Sequence, residues 1–215
     1  IGAGRTELAM SIFGALEGEV TGKLEYMGKE RPRFKNASEA IRAGVFYSSE
    51  DRKQLGLILT SDIAYNASLS SLDKYINKGI FISRDKEYAK VKEMVGKLRV
   101  KTPSILQKVG NLSGGNQQKV CLAKALMCEP KVLILDEATR GIDIGAKSEI
   151  YQLINQIAAQ GVAVIMISSE LPEVLGMSDR IYVMKEGRIS GEFDNRERTI
   201  TQENVAMAAT GGATT

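Results

Sequence analysis

The sequence predicts an α/β fold, in which a mostly parallel sheet is accompanied by a helical subdomain. Three apolar runs of about five residues, at 132–136, 162–167 and 180–184, alternate with helix-like stretches, and such runs are typical of strands covered on both faces. Between Thr60 and Gly110 the apolar residues recur at helical spacing, with no strong strand pattern among them. The length of 215 residues suits one sizeable core, or a core with an inserted subdomain.

We expect four segments along the chain. They are a partial core with a β excursion at 1–59, the helical subdomain at 60–110, the rest of the core at 111–208 and a disordered tail at 209–215. The apolar spacing after Thr6 predicts a first helix that ends at Gly14 or Gly18. It is followed by a short β excursion at 18–32, a brief helix that ends at Gly44 and a buried strand at 45–48.

Charge and hydropathy exclude several classes of protein. With 29 Lys and Arg against 26 Asp and Glu, the net charge is +3. This balance is well short of the basic surface of a nucleic-acid binder, so no nucleic-acid partner is expected. The sequence has neither a long apolar run nor a secretory leader, which predicts a cytoplasmic location.

The content of histidine and cysteine restricts the chemistry further. There is no histidine, which excludes Ser-His-Asp and Cys-His catalysis and every histidine metal site. Catalysis must therefore use carboxylates, hydroxyls, Lys, Arg and backbone dipoles. Cys121 and Cys128 are seven residues apart in one predicted helix, too far for a disulfide, so we predict buried free thiols.

The opening residues, IGAGRTEL, match the end of the phosphate-binding pattern Gly-x4-Gly-Lys-Ser/Thr, whose backbone N–H groups cradle phosphates. Gly4 takes the place of the second glycine, and Thr6 that of the hydroxyl on the Mg²⁺ side. Arg5 stands where the pattern has lysine, and the first glycine would fall before Ile1. A plain glycine turn before a helix explains these residues equally well.

The stretch LSGGNQQK, at 112–119, predicts an anion site at the start of a helix. Ser113, Gly114 and Gly115 precede a helix expected from about Asn116 to Met127, so that bare N–H groups and the positive end of the helix dipole face outward. An ordinary capped helix start is the alternative interpretation.

The stretch VLILDEAT places two acids directly after a buried strand. Asp136 and Glu137 follow the strand at the edge of the sheet where parallel sheets bind ligands. Asp136 suits Mg²⁺ binding through water, and Glu137 suits the polarisation of an attacking water. Two acids after a strand also occur in ordinary solvated loops, but the glycine loop, the Ser-Gly-Gly helix and TRGIDIGAK accompany them here.

Together these motifs resemble the nucleotide-binding domains of ABC transporters. They resemble most closely the second half of the tandem ATPase subunits of ribose-, galactose- and xylose-type sugar importers, shortened within the P-loop. The motifs that carry the resemblance are GAGRTEL, SSEDRK, VKTPS, LSGGNQQKV, LILDEATRGIDIGAKSEIYQLI, SSELPEVLGMSDRI and EGRISGEF. They extend over almost the whole chain, and the central combination is highly specific.

The resemblance implies a P-loop NTPase-like fold and a cassette that binds ATP and Mg²⁺ in the interface between two domains. The implied nucleotide-binding residues are Gly2, Ala3, Gly4, Arg5, Thr6, Glu50, Ser113, Gly114, Gly115, Gln117, Asp143 and Ser169. Thr6 and Asp136 are the implied Mg²⁺ residues, and Glu137 is the implied catalytic base. A single domain then carries two half-sites, one built on the P-loop and one on the signature helix.

Three positions in the P-loop half-site depart from the family pattern. Arg5 replaces the lysine, Glu50 replaces a glutamine that senses Mg²⁺ and water, and Ser169 replaces a switch histidine. The signature residues Ser113 and Gly114 match the family. The resemblance therefore implies an asymmetric ATPase, in which this domain lends a signature helix to its partner while its own site turns over slowly or not at all.

The resemblance also implies partners and a location. The partners are the first-half nucleotide-binding domain of the same subunit, the transmembrane permease subunits and, indirectly, a sugar-binding protein. The permease would dock on the helical subdomain and the SSEDRK turn, where Glu50, Asp51 and Arg52 are candidates for transmitting the nucleotide state. The location implied is peripheral, on the inner face of the cell membrane.

The family's P-loop follows an interior strand, and an adenine-stacking aromatic residue lies further upstream. Both would fall before Ile1. A sheet without that strand exposes two strand edges. We therefore expect a fragment with weak or no activity of its own, a departure from the family fold near residues 1–30, and self-association.

Two other functions remain open at this point. One is a soluble ABC-type ATPase of repair or translation. Long coiled-coil insertions or basic arms would favour it, and neither is present. The other is a regulatory module that holds nucleotide without hydrolysing it. Arg5, Glu50 and Ser169 favour that module, whereas Glu137 argues against it.

Overall fold

The computed structural model describes residues 2–77 and 81–211 and has the α/β fold that the sequence predicts. The helices are α1 Arg5–Phe13, α2 Ala37–Ala43, α3 Ile63–Ser68, α4 Arg84–Lys97, α5 Gly114–Met127, α6 Ile144–Ala159, α7 Leu171–Met177 and α8 Gln202–Thr210. The strands are β1 Leu24–Tyr26, β2 Lys29–Arg31, β3 Val45–Ser48, β4 Ile76–Asn77, β5 Phe81–Ile82, β6 Val132–Asp136, β7 Ala163–Ile167, β8 Arg180–Lys185 and β9 Arg188–Asp194.

The chain divides into two compact units. One comprises Ile1–Arg42 and Met166–Thr215, and the other is the continuous stretch Ala43–Ile165. This division differs from the segments expected from the sequence, because the helical stretch 60–110 packs with α5 of the core: both α3 and α4 contact that helix.

The sheet of the second unit has the strand order β3-β6-β7. β3 and β6 are parallel, with Val45 opposite Val132 and Ser48 opposite Leu135. Four of the five residues of β6 are buried, and this confirms the central strand predicted from the apolar run. The carboxyl end of β6 delivers Asp136 to the edge of the sheet.

The third apolar run differs from its prediction as a strand of the parallel sheet. β8 pairs antiparallel with β9 in a separate two-stranded sheet. In β8, Ile181 and Val183 are buried against α8, while Arg180 and Tyr182, which alternate with them along the strand, are exposed. This alternation is typical of a strand with one solvated face. The tight turn at Glu186 and Gly187, both with positive φ, reverses the chain.

The β excursion predicted near the beginning is confirmed as the hairpin β1–β2, in which Tyr26 is opposite Lys29. Its two-residue turn, Met27 and Gly28, also has positive φ at both positions. Phe34, just beyond the hairpin, is almost fully buried, and the guanidinium of Arg31 lies 4.0 Å from its ring centroid.

The helical stretch contains one feature that the sequence pattern did not predict. β4 and β5 form a short antiparallel hairpin on either side of 78–80, which lie outside the described residues. Between α3 and β4 the chain makes 3₁₀ turns from Leu69 to Tyr75. The prediction of a mainly helical segment is otherwise confirmed by α3 and α4.

The C-terminal helix α8 extends through Thr210, past the boundary predicted at 208. Its start has a capping box between Thr201 and Asn204. Ala209 and Thr210 are thus helical rather than part of a disordered tail, and 212–215 lie outside the described residues. The two thiols in α5, Cys121 and Cys128, are buried and free, as predicted.

Candidate functional site: a signature loop and an acidic strand end

The Ser-Gly-Gly loop lies at the start of α5, with Ser113 as the N-cap residue. The Ser113 hydroxyl accepts a hydrogen bond from the Asn116 side-chain amide at 3.0 Å, and the Asn116 side-chain oxygen accepts one from the Lys101 N–H at 2.8 Å. The side chain of Asn116 thus links the loop to the segment before it. The outward-facing helix start predicted from the sequence begins two residues earlier than expected, at Gly114.

The two glycines of this loop are required by close contacts. A Cβ on Gly114 would lie 2.9 Å from Nη2 of Arg52 and 3.3 Å from the carbonyl oxygen of Gly141. A Cβ on Gly115 would lie 2.7 Å from Cβ of Ala146 in α6. The glycines therefore allow α5 to pack closely against both the turn at 140–141 and α6.

Gln117 differs from its predicted role as a nucleotide contact. The residue is only 5% exposed, and its side-chain amide donates to the carbonyl oxygens of Val109 and Leu112, each at 3.3 Å. These bonds satisfy backbone groups of the turn before the helix. The position of Gln117 therefore favours a structural role, in which it supports the signature loop from inside.

Asp136 lies at the end of β6 and is only 1% exposed. The hydroxyl of Tyr47, on the neighbouring strand β3, donates to Oδ2 of Asp136 at 2.9 Å. Glu137, the next residue, has a φ of 48° and is half-buried. The left-handed backbone at Glu137 turns the chain directly after the strand.

Asp143 is the N-cap of α6, and its side chain accepts a hydrogen bond from the Ala146 N–H at 2.9 Å. The next residue, Ile144, is 88% exposed.

The turn at 50–56 lies beside the signature loop. Glu50 forms an ion pair with Arg140, and Nη1 of Arg52 donates to the carbonyl oxygen of Arg140 at 2.8 Å. The side chains of Glu50, Asp51, Arg52, Lys53 and Arg140 line a cleft of about 270 Å³. The Glu50 carboxylate is thus already paired with the guanidinium of Arg140.

The P-loop-like residues belong to the other unit. Gly4 has a φ of 86° and precedes α1, and a Cβ added to it would lie 3.1 Å from Cα of Gly187 in the β8–β9 turn. The Gly187 N–H donates to the carbonyl oxygen of Ala3 at 3.0 Å. Gly2 is exposed, with positive φ and open space around it, and Thr6 lies in the first turn of α1.

Arg5 and the segment that includes Ser169 are in direct contact. Nη1 of Arg5 donates to the carbonyl oxygen of Ser168 at 2.6 Å. The Ser168 hydroxyl in turn donates to the buried carboxylate of Glu173 and accepts a hydrogen bond from the Glu170 N–H. Two of the positions that depart from the family pattern, 5 and 169, are therefore adjacent in space through Ser168.

The buried carboxylate of Asp136 is a suitable oxygen ligand for Mg²⁺. In the described part of the chain no three carboxylates or thiols cluster as a ready-made metal cage. Mg²⁺ is held in many nucleotide sites by one or two protein oxygens together with phosphate and water, and a buried carboxylate at a strand end suits that chemistry. The other predicted Mg²⁺ residue, Thr6, lies in the other unit.

Sequence reasoning did not find Tyr47 as the partner of Asp136, nor the part that Arg52 plays beside Gly114. Tyr47 could have been found, because β3 pairs with β6 and its residues lie opposite those before Asp136. Arg52 gives no such signal, since its partners are 62 and 88 positions away in the sequence. None of the helices described is long and apolar enough to cross a membrane.

Comparison with known proteins identifies the family. The ABC transporter family model matches residues 1–140. The xylose import ATP-binding proteins XylG of Moorella thermoacetica and Thermoanaerobacter pseudethanolicus are 51% and 52% identical to this chain over 212 residues, covering 99% of it and 41% of each relative. The ribose import ATP-binding protein RbsA of Caldanaerobacter subterraneus is 50% identical, covering 99% of the chain and 42% of the relative. The chain thus spans about two-fifths of the length of these curated relatives.

Solved structures give the same fold at lower sequence identity. A nucleotide-free ATP-binding cassette from an ABC transporter has a TM-score of 0.76 at 22% identity, covering 91% of this chain and 78% of that one. A dimeric cassette in a post-hydrolysis state, bound to ADP and Pi, has a TM-score of 0.72 at 20% identity, covering 90% and 82%. With the family model and the sugar-importer relatives in agreement, this chain belongs to the ABC transporter family as a nucleotide-binding domain.

Proposed function

We propose that this chain is a motor domain of a sugar-import ABC transporter, and that its main part in ATP hydrolysis is to donate a signature helix to a partner domain. The observation that carries the proposal is the loop Ser113–Gly115 at the start of α5, whose glycines are required by contacts with Arg52, Gly141 and Ala146. Backbone N–H groups and the positive helix end make this loop suitable for a phosphate of the partner's nucleotide.

The chain's own P-loop site is proposed to be degenerate. The guanidinium of Arg5 is engaged with the carbonyl oxygen of Ser168, whereas an ammonium at this position would point at phosphates as a compact charge. Ser169 offers a hydroxyl where the family has an imidazole. Nucleotide bound here would lack the usual cation and the usual contact with the terminal phosphate.

Glu137 is the proposed general base, and Asp136 the proposed Mg²⁺ residue together with Thr6. When bound, Mg²⁺ would neutralise charge on the phosphates that are being separated. Tyr47 holds Oδ2 of Asp136 in place, so that the carboxylate is already oriented before any ion arrives.

The proposed partners are a first-half nucleotide-binding domain, permease subunits in the membrane and, through them, a sugar-binding protein. Exposed apolar side chains support the docking of permease on the second unit: Leu55 is 76% exposed, and Ile58, Tyr65 and Leu106 are also exposed. Ile144 supports contact with the partner domain. The proposed location, peripheral on the inner face of the membrane, follows from these partners.

The proposal for the P-loop site is tested by Arg5→Lys combined with Ser169→His. We expect the double variant to gain ATP turnover when it is mixed with the first-half domain. The gain should vanish when Glu137→Gln is added, because the new turnover would occur at this chain's own site. Unchanged hydrolysis in the double variant would contradict the claim that these two positions limit the site.

A second candidate is a regulatory module that binds nucleotide without hydrolysing it, favoured by the contact between Arg5 and Ser168. Titration with a fluorescent ATP analogue, with and without the first-half domain, separates the two functions. The module predicts the same affinity in both cases and no hydrolysis, whereas the motor domain predicts tighter binding and hydrolysis on mixing. A soluble ABC ATPase unconnected with transport would hydrolyse ATP without any effect of permease subunits.

A further inference from the structure

We infer that Arg52 is a positioning residue for the signature loop, joining the turn at 50–56 to Gly114 and to the turn at 140–141. The inference rests on the proposed function of α5 as the helix that meets the partner's nucleotide. It assigns to one side chain the link between a surface turn and the loop that acts on ATP.

The turn at 50–56 is built as a rigid unit. The Asp51 carboxylate accepts hydrogen bonds from the N–H groups of Lys53 and Gln54, each at 3.0 Å. The Asp51 carbonyl oxygen accepts two more, from Leu55 and Gly56. One wide helical turn is therefore closed at its start by both the side chain and the backbone of the same residue.

This turn contacts α5 through one hydrogen bond and one close approach of a side chain. At its end, Nζ of Lys124 donates to the carbonyl oxygen of Gly56 at 3.1 Å. Near its beginning, Nη2 of Arg52 is close enough to Gly114 that a Cβ there would lie 2.9 Å from it. Lys124 is in the last turn of the helix and Gly114 is its first residue, so the two contacts lie about 15 Å apart along α5.

Arg52 also reaches the segment that follows the acidic strand end. Nη1 donates to the carbonyl oxygen of Arg140 at 2.8 Å, while Nη2 lies toward Gly114 and Gly141. A planar guanidinium can occupy both positions at once, which an ammonium on a flexible stem cannot do. The neighbouring ion pair between Glu50 and Arg140 holds the same two segments together.

These contacts would couple a movement of the turn at 50–56 to the signature loop. A protein that binds the exposed Leu55 would act on a turn whose Arg52 is hydrogen-bonded to the carbonyl oxygen of Arg140 and lies beside Gly114. If the turn moves, Arg52 moves the 113–115 loop and the 140–141 turn together. Without Arg52 the two segments keep their folds but lose their fixed relative position.

Hydrogen–deuterium exchange of the full chain tests the link without any nucleotide. In Arg52→Gln, we expect the N–H groups of Gln117, Arg140 and Ile142 to exchange about tenfold faster, since a hydrogen bond to a charged group is lost. Amides at 120–127 should not change. Gln54→Ala is the matched control, because it shortens an exposed side chain of the same turn that does not line the cleft.

The second readout is ATP hydrolysis by the chain mixed with the first-half domain. Arg52→Gln should lower kcat about tenfold with little change in KM, whereas Arg52→Lys should recover less than half of kcat, because it keeps the charge but not the planar fork. Gln54→Ala should match the wild-type chain. Arg52→Lys retains the length of the side chain, which keeps the test valid if Arg52→Gln folds poorly.

The two readouts separate failure of this inference from failure of the proposed function. If the wild-type chain does not stimulate hydrolysis, the proposed function is wrong, and exchange alone decides whether Arg52 positions the loop. If stimulation occurs but Arg52→Gln equals Gln54→Ala in exchange or in kcat, the positioning role of Arg52 is overturned.

Discussion

Single residues at the start of α5 determine how closely this helix packs. Gly115 faces Ala146 so closely that a methyl group cannot be added without moving α6. Gly114 faces Nη2 of Arg52 and the carbonyl oxygen of Gly141, so that a Cβ at this position would displace the guanidinium of Arg52. Gly115 is therefore required for the packing of α5 against α6, and Gly114 for the position of Arg52.

We predict that Gly115→Ala lowers the free energy of unfolding by about 1–3 kcal/mol, the usual effect of overpacking a tight interface. The matched control is Gly96→Ala in α4, where an added Cβ meets nothing within 4 Å. That change should raise stability by about 0.5–1 kcal/mol, because alanine is the better helix former. Urea denaturation measures both, and equal effects would contradict the packing role of Gly115.

The buried Lys119 gives a pH-dependent prediction. Lys119 is only 3% exposed, and its Nζ lies 2.5 Å from a carboxylate oxygen of Glu149 and 3.1 Å from the Arg99 carbonyl oxygen. The hydrogen bond from Lys119 lowers the pKa of Glu149 in the folded chain. The stability from this pair is therefore present above the unfolded pKa of Glu149 and is lost as the pH falls through the lower folded value.

Glu149→Gln should accordingly destabilise the chain by about 1 kcal/mol at pH 7, a value kept small because Glu149 itself is half-exposed. The difference from the wild-type chain should shrink as the pH is lowered toward 3. Thermal unfolding across this range provides the measurement. If the stability difference between Glu149→Gln and the wild-type chain grew on acidification, the lowered pKa of Glu149 would not be the source of the stability.

At the scale of elements, the loop before α3 depends on one buried amide. Asn66 is fully buried, and its side-chain oxygen accepts from the Ile58 N–H at 2.7 Å. Its side-chain nitrogen donates to the carbonyl oxygens of Ile58 and Asp62 at 3.0 and 2.9 Å. Three hydrogen bonds from one side chain thus hold the loop that carries the exposed Ile58.

We predict that Asn66→Asp destabilises the chain by about 2–3 kcal/mol at pH 7, because a carboxylate cannot donate and would face two carbonyl oxygens. Asn155→Asp is the control, since Asn155 is exposed in α6. Denaturant titration of both variants at the same pH makes the comparison. If the two variants lose the same stability, the three bonds of Asn66 do not hold the loop.

The elements also show what the sequence could and could not predict. The helix α1 follows from apolar periodicity, and β6 follows from its apolar run. The apolar run at 180–184 predicts a strand of the parallel sheet, but only Ile181 and Val183 of β8 are buried. The turn at Glu186 and Gly187, which joins β8 to β9, lies just beyond that apolar run.

For the whole molecule, local motifs predicted the family and the fold, but not the contacts between distant segments. The residues of LSGG and DEAT could be assigned from sequence because each lies at the end of one element. The inward position of Gln117, the contact of Arg5 with Ser168 and the link through Arg52 depend on tertiary packing. No periodicity or spacing in a single sequence encodes such contacts.

The two thiols report on the opening of the unit Ala43–Ile165. Burial raises the pKa of Cys121 to about 12 and that of Cys128 to about 11. The native chain should therefore resist alkylation at pH 8, and both thiols should react only when the unit opens. Mass spectrometry after a pulse of iodoacetamide, with and without urea, measures this. Rapid labelling of the native chain would contradict the burial of α5.

The central claim is that this domain acts on ATP mainly through its signature loop, and one comparison tests it most directly. Steady-state ATP hydrolysis is measured for the chain mixed with the first-half domain, as wild type, Ser113→Arg and Glu137→Gln, each checked for its fold by circular dichroism. The account predicts that Ser113→Arg abolishes the stimulated hydrolysis and that Glu137→Gln retains more than half of it. Loss of hydrolysis in Glu137→Gln with full activity in Ser113→Arg would contradict the account.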